Sequence, residues 1–247
     1  MVIRELERIE EFEVCIGIQK KAWGFDEIDL VPVPLFVLAR DYGGIVLGAF
    51  IENHLVGFVY SIPALYNQRL IQHSHMLGVD PDYQNKGIGY KLKIAQKEAA
   101  LRRGFDLITW TYDFLQAKNS YFNFHKLGCV ARKILKDYYG RSTSILHAGL
   151  PTDRLLVEWP LKGRPKHITG FRPVLRFEDD KFKRSYAEGP VGIEIPEDIQ
   201  RLKRENIDLA RRWQATSRDI LDEYFDRGYQ IRDYTSRPRT FLILDYD

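Results

Sequence analysis

The stretch "HSHMLGVDPDYQNKGIGYKL", residues 73–92, decides the reading of the chain. Its first half is strand-like and stops at Asp80-Pro81, because proline cannot donate to a sheet ladder. Helix character begins after Gly87, where Ile88, Leu92, Ala95 and Ala99 make one apolar stripe. Arg102 and Arg103 fall in the last turn, and Gly104 suits the C-terminal cap. A strand that enters a helix through a polar turn gathers unpaired backbone N–H groups at the helix start. The helix dipole adds partial positive charge there, so the turn is built to take an anion. Gly87 and Gly89 offer no side chain to block a phosphate, and Gln84 and Lys86 supply donors. A lone G-x-G is weak evidence, and neither a P-loop nor a Rossmann fingerprint is present. Just upstream, strand alternation puts His73, His75, Leu77 and Val79 on one face and Gln72, Ser74 and Met76 on the other. An imidazole with an ordinary pKa of about 6.5 takes a proton near neutral pH.

Moving outward, "VIREL" opens a strand and "EEFEVCIGIQKKAW" is helical. A short helix follows Pro34 and stops at Gly43-Gly44. "IVLGAFI" and "HLVGFVYSIP" read as strands joined by a tight Glu52-Asn53 turn. After the central helix come a strand, "FDLITWTYD", a short helix, "LQAKNSYFNFHKLG", and two strands, "CVARKILKDYYG" and "RLLVEWPL". The order β-α-α-β-β-β-α-β-α-β-β gives an α/β fold, a mixed twisted sheet with helices on both faces, over residues 1–161. Residues 162–190, rich in proline and charge, read as a connector. Residues 191–247 read as a small α+β C-terminal appendage: a strand, one long helix from Glu197 to Arg227, and a hairpin of "YQIRDY" and "RTFLILDYD". The apolar strand of that hairpin suggests pairing across a homodimer.

The bulk numbers narrow the class. The chain has 247 residues, 45% of them hydrophobic, and a formal net charge of +3. That charge suits an anionic small molecule and is too weak to argue for nucleic acid. Cys15 and Cys129 have no metal-type spacing and read as reduced, buried thiols. The N-terminus is not a signal peptide, and no apolar run reaches the ~20 residues that cross a bilayer. The expectation is a cytoplasmic protein without a membrane partner.

"LGVDPDYQNKGIGYKL" resembles the acyl-CoA-binding segment of the GNAT acyltransferase superfamily, V-x-P-x-[YF]-[RQ]-x-x-G-[IVL]-G-x-x-L. Val79, Pro81, Tyr83, Gln84, Gly87, Ile88, Gly89 and Leu92 match it in order. The resemblance implies that backbone N–H groups from Gln84 through Asn85, Lys86, Gly87, Ile88, Gly89 and Tyr90 cradle the pyrophosphate of acetyl-CoA or another acyl-CoA. It also implies that Leu77, Gly78 and Val79 pair with the pantetheine arm, and that Asn119 bonds its amides. The H-x-H spacing is similar to that of the arylalkylamine N-acetyltransferases, where paired histidines are associated with a water-linked path for the amine proton, and this resemblance makes His73 and His75 the base candidates. Relatives commonly place a tyrosine acid at the position that Phe124 holds here; Tyr121, His125 or water would have to substitute, and Tyr121 is the candidate. Asp113 could orient a cationic amine or cap a turn. Direct acyl transfer, acetyl or succinyl, to a small-molecule amine such as an amino acid is the expected reaction, with no metal. The alternatives are an acyl-CoA sensor without turnover and an acyltransferase with a macromolecular acceptor. Phe58, Tyr60 and Tyr66, with a loop "YSIPALYNQRL", are the expected walls of an acceptor cleft.

Overall fold

Two tight turns fix the register of the first half of the chain. Glu52 and Asn53 both adopt positive φ, and so do Asn67 and Gln68. Each pair closes a two-residue hairpin, a geometry that asparagine tolerates well. The computed structural model describes residues 1–144, 149–163 and 165–246. Arg164 of the expected connector and Asp247 of the expected closing strand lie outside the described residues. The chain sorts into two compact units, one built on Met1–Trp110 and the other on Thr111–Arg141, Gly149–Trp159 and Gly163–Asp247.

The first unit runs β1 (Val2–Glu5), α1 (Ile9–Trp23), α2 (Val33–Asp41), β2 (Ile45–Ile51), β3 (His54–Tyr66), β4 (Arg69–Val79), α3 (Ile88–Arg102) and β5 (Leu107–Tyr112, here through Trp110). Its sheet order is β1-β2-β3-β4-β5. The first four strands are antiparallel neighbours, and β5 joins β4 in parallel. One face packs α1 and α2 through Phe12, Cys15, Ile18, Phe36, Phe58, Tyr60 and Met76. Phe36 stacks on Phe12 at 5.6 Å and meets Phe58 edge-on at 5.8 Å. Deleting one such ring costs about 3–5 kcal/mol, so this cluster holds the face. The segment from Tyr60 to Leu70, expected as a loop, is the far end of the β3–β4 hairpin, paired down to Tyr66–Arg69. Phe58 and Tyr60 are core residues at 0% and 4% exposure, so they do not wall an open cleft.

The second unit holds α4 (Ala117–Ser120), a wide π turn at Tyr121–Lys126, β6 (Val130–Leu135), β7 (Arg154–Pro160), β8 (Arg172–Glu178), β9 (Lys181–Arg184), β10 (Val191–Glu194), α5 (Ile199–Glu205), α6 (Ile207–Asp226), β11 (Tyr229–Thr235) and β12 (Phe241–Tyr246). Its strand order is β7-β6-β11-β12-β10-β8-β9. The segment expected as a connector therefore contains a β8–β9 hairpin, whose Phe177 and Phe182 pack on Trp213 of α6. The single long helix is two helices. Asn206 breaks it, because its side chain accepts the N–H of Leu209 and caps α6 instead of continuing the turn. β12 pairs with β10 on one side and β11 on the other, so both its edges are used and it cannot add across a dimer.

Candidate functional site

The site in the first unit begins with an irregularity in β4. Met76 faces Tyr60, but the next rung pairs Ser61 with Ser74, so His75 is an extra residue in the strand. A bulge of this kind reverses the alternation beyond it. His73 consequently pairs with Ile62 and lies on the α1–α2 face with Tyr60 and Met76. The His75 ring sits edge-on to Tyr60 at 6.1 Å, on the same side. Leu77 and Val79 take the opposite face, beside Gly89 and Ile88 of α3. The two histidines share a face as expected, while Leu77 and Val79 do not share it with them.

β4 and β5 are joined by two rungs among the described residues, Gln72–Ile108 and His73–Thr109. β4 runs on six residues beyond them, to Val79. The main-chain edge of Leu77, Gly78 and Val79 is thus past the end of the β5 ladder, where an extended ligand can add as a strand does. Gly78 has no room for a side chain: a Cβ there would meet Phe58 at 3.0 Å and Trp23 at 3.1 Å.

The turn into α3 is held by local bonds. Asp80 caps the Pro81–Tyr83 turn by accepting the N–H of Asp82, and its other oxygen pairs with Lys21 at 2.8 Å. Asn85 and Gly87 both adopt positive φ, 61° and 76°, and Gly87 is the N-cap of α3. Lys91 is the first N–H to reach a carbonyl four residues back, on Gly87, at 3.2 Å. The N–H groups of Ile88 and Gly89 precede it at the open helix end, which is where an anion binds. Two expected side-chain donors are engaged locally instead. Gln84 donates to the Val79 carbonyl at 3.0 Å, and Lys86 donates to the Asp82 carbonyl at 3.0 Å while lying over the Tyr83 ring. The main chain, not these side chains, is what the turn presents.

Behind the histidines lies a polar cluster that the sequence reading missed. Lys93 of α3 is buried, donates to Ser74 Oγ at 2.8 Å and Gln96 Oε1 at 3.1 Å, and sits 3.8 Å over the Trp110 ring. His73 Nδ1 lies 3.0 Å from Thr109 Oγ1. Burial, then the neighbouring His75 and the Lys93 charge, push the His73 pKa down to about 4. His73 is therefore neutral near physiological pH. The signal for Lys93 was its place beside Leu92 on the apolar stripe; nothing local pointed to Thr109, which the β4–β5 register brings in.

The remaining candidates belong to the second unit. Phe124 is fully buried, 6.2 Å from the Tyr112 ring, so this position packs a core and offers no acid. Asn119 and Tyr121 are exposed, and Tyr121 stacks on His125 at 5.1 Å. Asp113 is buried and accepts the Leu115 N–H at 3.0 Å and the Gln116 amide at 3.2 Å. It caps a turn, and burial raises its pKa, so it is not an open partner for an amine.

Residues 36–128 match the family model described as an acetyltransferase (GNAT) domain. No curated protein matches the chain. Among solved structures, the ribosomal-protein-S18-alanine N-acetyltransferase of Escherichia coli superposes with a TM-score of 0.53 at 16% identity, over 68% of this chain and 99% of that one. Aminoglycoside 6'-acetyltransferase type Ii gives 0.51 at 20% identity, over 67% and 100%. The protein yncA of Salmonella typhimurium, solved with acetyl-CoA, gives 0.52 at 16% identity, over 69% and 99%. These likenesses establish the fold. No described helix is long and apolar enough to cross a membrane. The segment that matches the GNAT acetyltransferase domain model takes in most of α2, the β2–β4 hairpins, the G-x-G turn and α3, so it is this part of the chain that is similar to that family.

Proposed function

We propose that this chain moves an acyl group, acetyl or succinyl, from a coenzyme A thioester directly to the amine of a small molecule such as an amino acid. The observation that carries the reading is the pairing of an open α3 N-terminus at Gly87–Gly89 with a β4 edge that outruns its β5 ladder. The first suits a pyrophosphate and the second suits the amides of a pantetheine arm. In the neighbour from Salmonella typhimurium the cofactor is acetyl-CoA, which supports the donor class. Acceptors named for other neighbours are an aminoglycoside and a ribosomal-protein alanine, so an amine is the common element.

In the proposed reaction the neutral amine attacks the thioester carbon and the coenzyme thiolate leaves. The amine proton passes to the His73–His75 face of β4. His73, with its pKa near 4, does not hold a proton at neutral pH, and its bond to Thr109 orients the ring while the proton passes on by way of His75. His75, exposed at the bulge, connects that face to water. A screen of acetyl- and succinyl-CoA against amino acids, simple amines and alanine-ended peptides, read as free thiol, tests the reading. Thiol release with amino acids or amines is expected. Coenzyme binding without release under any pairing would identify a sensor instead.

A further inference from the structure

Within the second unit, two imidazoles converge on one buried carboxylate. His125 Nδ1, from the π turn, lies 3.0 Å from Asp233 Oδ1, and His167 Nδ1 lies 3.5 Å from Asp233 Oδ2. The two rings are 4.4 Å apart at 40°. The ligand-type atoms of all three residues lie within 4.8 Å of one another. Around a tetrahedral cation with bonds of about 2.0–2.1 Å, neighbouring ligands are about 3.3–3.5 Å apart. The two nitrogen–oxygen distances, 3.0 and 3.5 Å, lie close to that spacing.

We propose that His125, His167 and Asp233 bind a divalent transition-metal cation of the Zn2+ or Co2+ type. The donor set is two nitrogens and one carboxylate oxygen, which suits such ions and suits Mg2+ or Ca2+ poorly. The Asp233 carboxylate is held from behind by main-chain donors, Ile168 N–H to Oδ2 at 2.9 Å and Tyr234 N–H to Oδ1 at 2.8 Å. These are the outer contacts that fix a ligating carboxylate. Asp233 has 4% of its side chain exposed, whereas His125 and His167 have 38% and 51%. The imidazoles thus face water, leaving an entry path and room for solvent on the remaining coordination positions. Coordination requires each Nδ1 to present its lone pair, so each ring carries its proton on Nε2 in the bound form. His125 also stacks on Tyr121, which restricts the plane of its ring. This site is separate from the proposed acyl-transfer reading, and either can fail without the other.

The test is titration of the full chain, first stripped with chelator, by Co2+ or Zn2+ alone. One equivalent should bind, with a visible Co2+ absorption band and a rise of several degrees in unfolding temperature. His167→Ala and His125→Gln should each weaken binding by on the order of 100-fold. His73→Ala with His75→Ala should leave it unchanged, and coenzyme A affinity should not move in any variant. Absence of a one-equivalent site in the unaltered chain overturns the proposal. So does binding of undiminished affinity in either folded single variant.

Discussion

His73 Nδ1 sits 3.0 Å from Thr109 Oγ1 across the last rung that β4 shares with β5. The residue that anchors the candidate base is therefore also the point where the two strands part. Any ligand inserted along β4 beyond that rung begins beside the imidazole.

The low His73 pKa has a consequence for stability. Between about pH 6.5 and pH 4 the unfolded chain binds a proton that the native imidazole does not, so stability falls as pH falls through this window. The loss at pH 4 is on the order of 3 kcal/mol at most. Urea midpoints measured from pH 7 to pH 4 should show this slope, and His73→Gln should flatten it. An identical slope in the variant would contradict the assignment.

Lys93 is a buried cation satisfied by Ser74, Gln96 and the Trp110 face. Lys93→Met keeps the volume and leaves Gln96 and Ser74 bonded to each other at 3.0 Å. Such a swap is close to neutral, within about 1 kcal/mol. Removing the charge should raise the His73 pKa, which the acid limb of the urea profile and the imidazole proton shifts would report. Lys93→Ala opens a cavity as well and should cost more, about 2–3 kcal/mol.

Gly89 lies against Leu77, whose Cδ2 would be 3.3 Å from an added Cβ. Gly89→Glu adds bulk and negative charge at the helix end, where both oppose a diphosphate. Calorimetry should show coenzyme A affinity weakened by roughly 100-fold, about 2.7 kcal/mol, with the fold retained. Full affinity in the folded variant would count against the turn as the anion site.

Much of this was legible along the chain, and the exceptions have physical causes. The α3 stripe, the Asp80-Pro81 stop and the glycine pair are local signals, and each stands where it was read. The His75 bulge is not local: whether a strand carries an extra residue depends on the partner's register, which only β3 supplies. The β8–β9 hairpin was hidden by its charge, because β9 is an edge strand and Lys181 and Lys183 suit an edge. Asp233 lies 108 residues from His125, so no spacing rule could join them. The break at Asn206 was masked by an apolar stripe that continues on both sides of it.

That break gives a stability prediction. Asn206→Ala removes the side-chain acceptor of the Leu209 N–H and should cost about 1 kcal/mol in a urea titration. Asn206→Asp keeps an acceptor and adds favourable charge at the α6 N-terminus, so it should be at least as stable as the original chain. A gain on Asn206→Ala would mean that the cap is not used.

The most direct measurement is an amide-resolved NMR titration with coenzyme A. The account predicts large, saturable shifts at the N–H groups of Gly87, Ile88 and Gly89, with smaller ones along Leu77, Gly78 and Val79. Binding that perturbs other amides and leaves Gly87–Gly89 unmoved would contradict it.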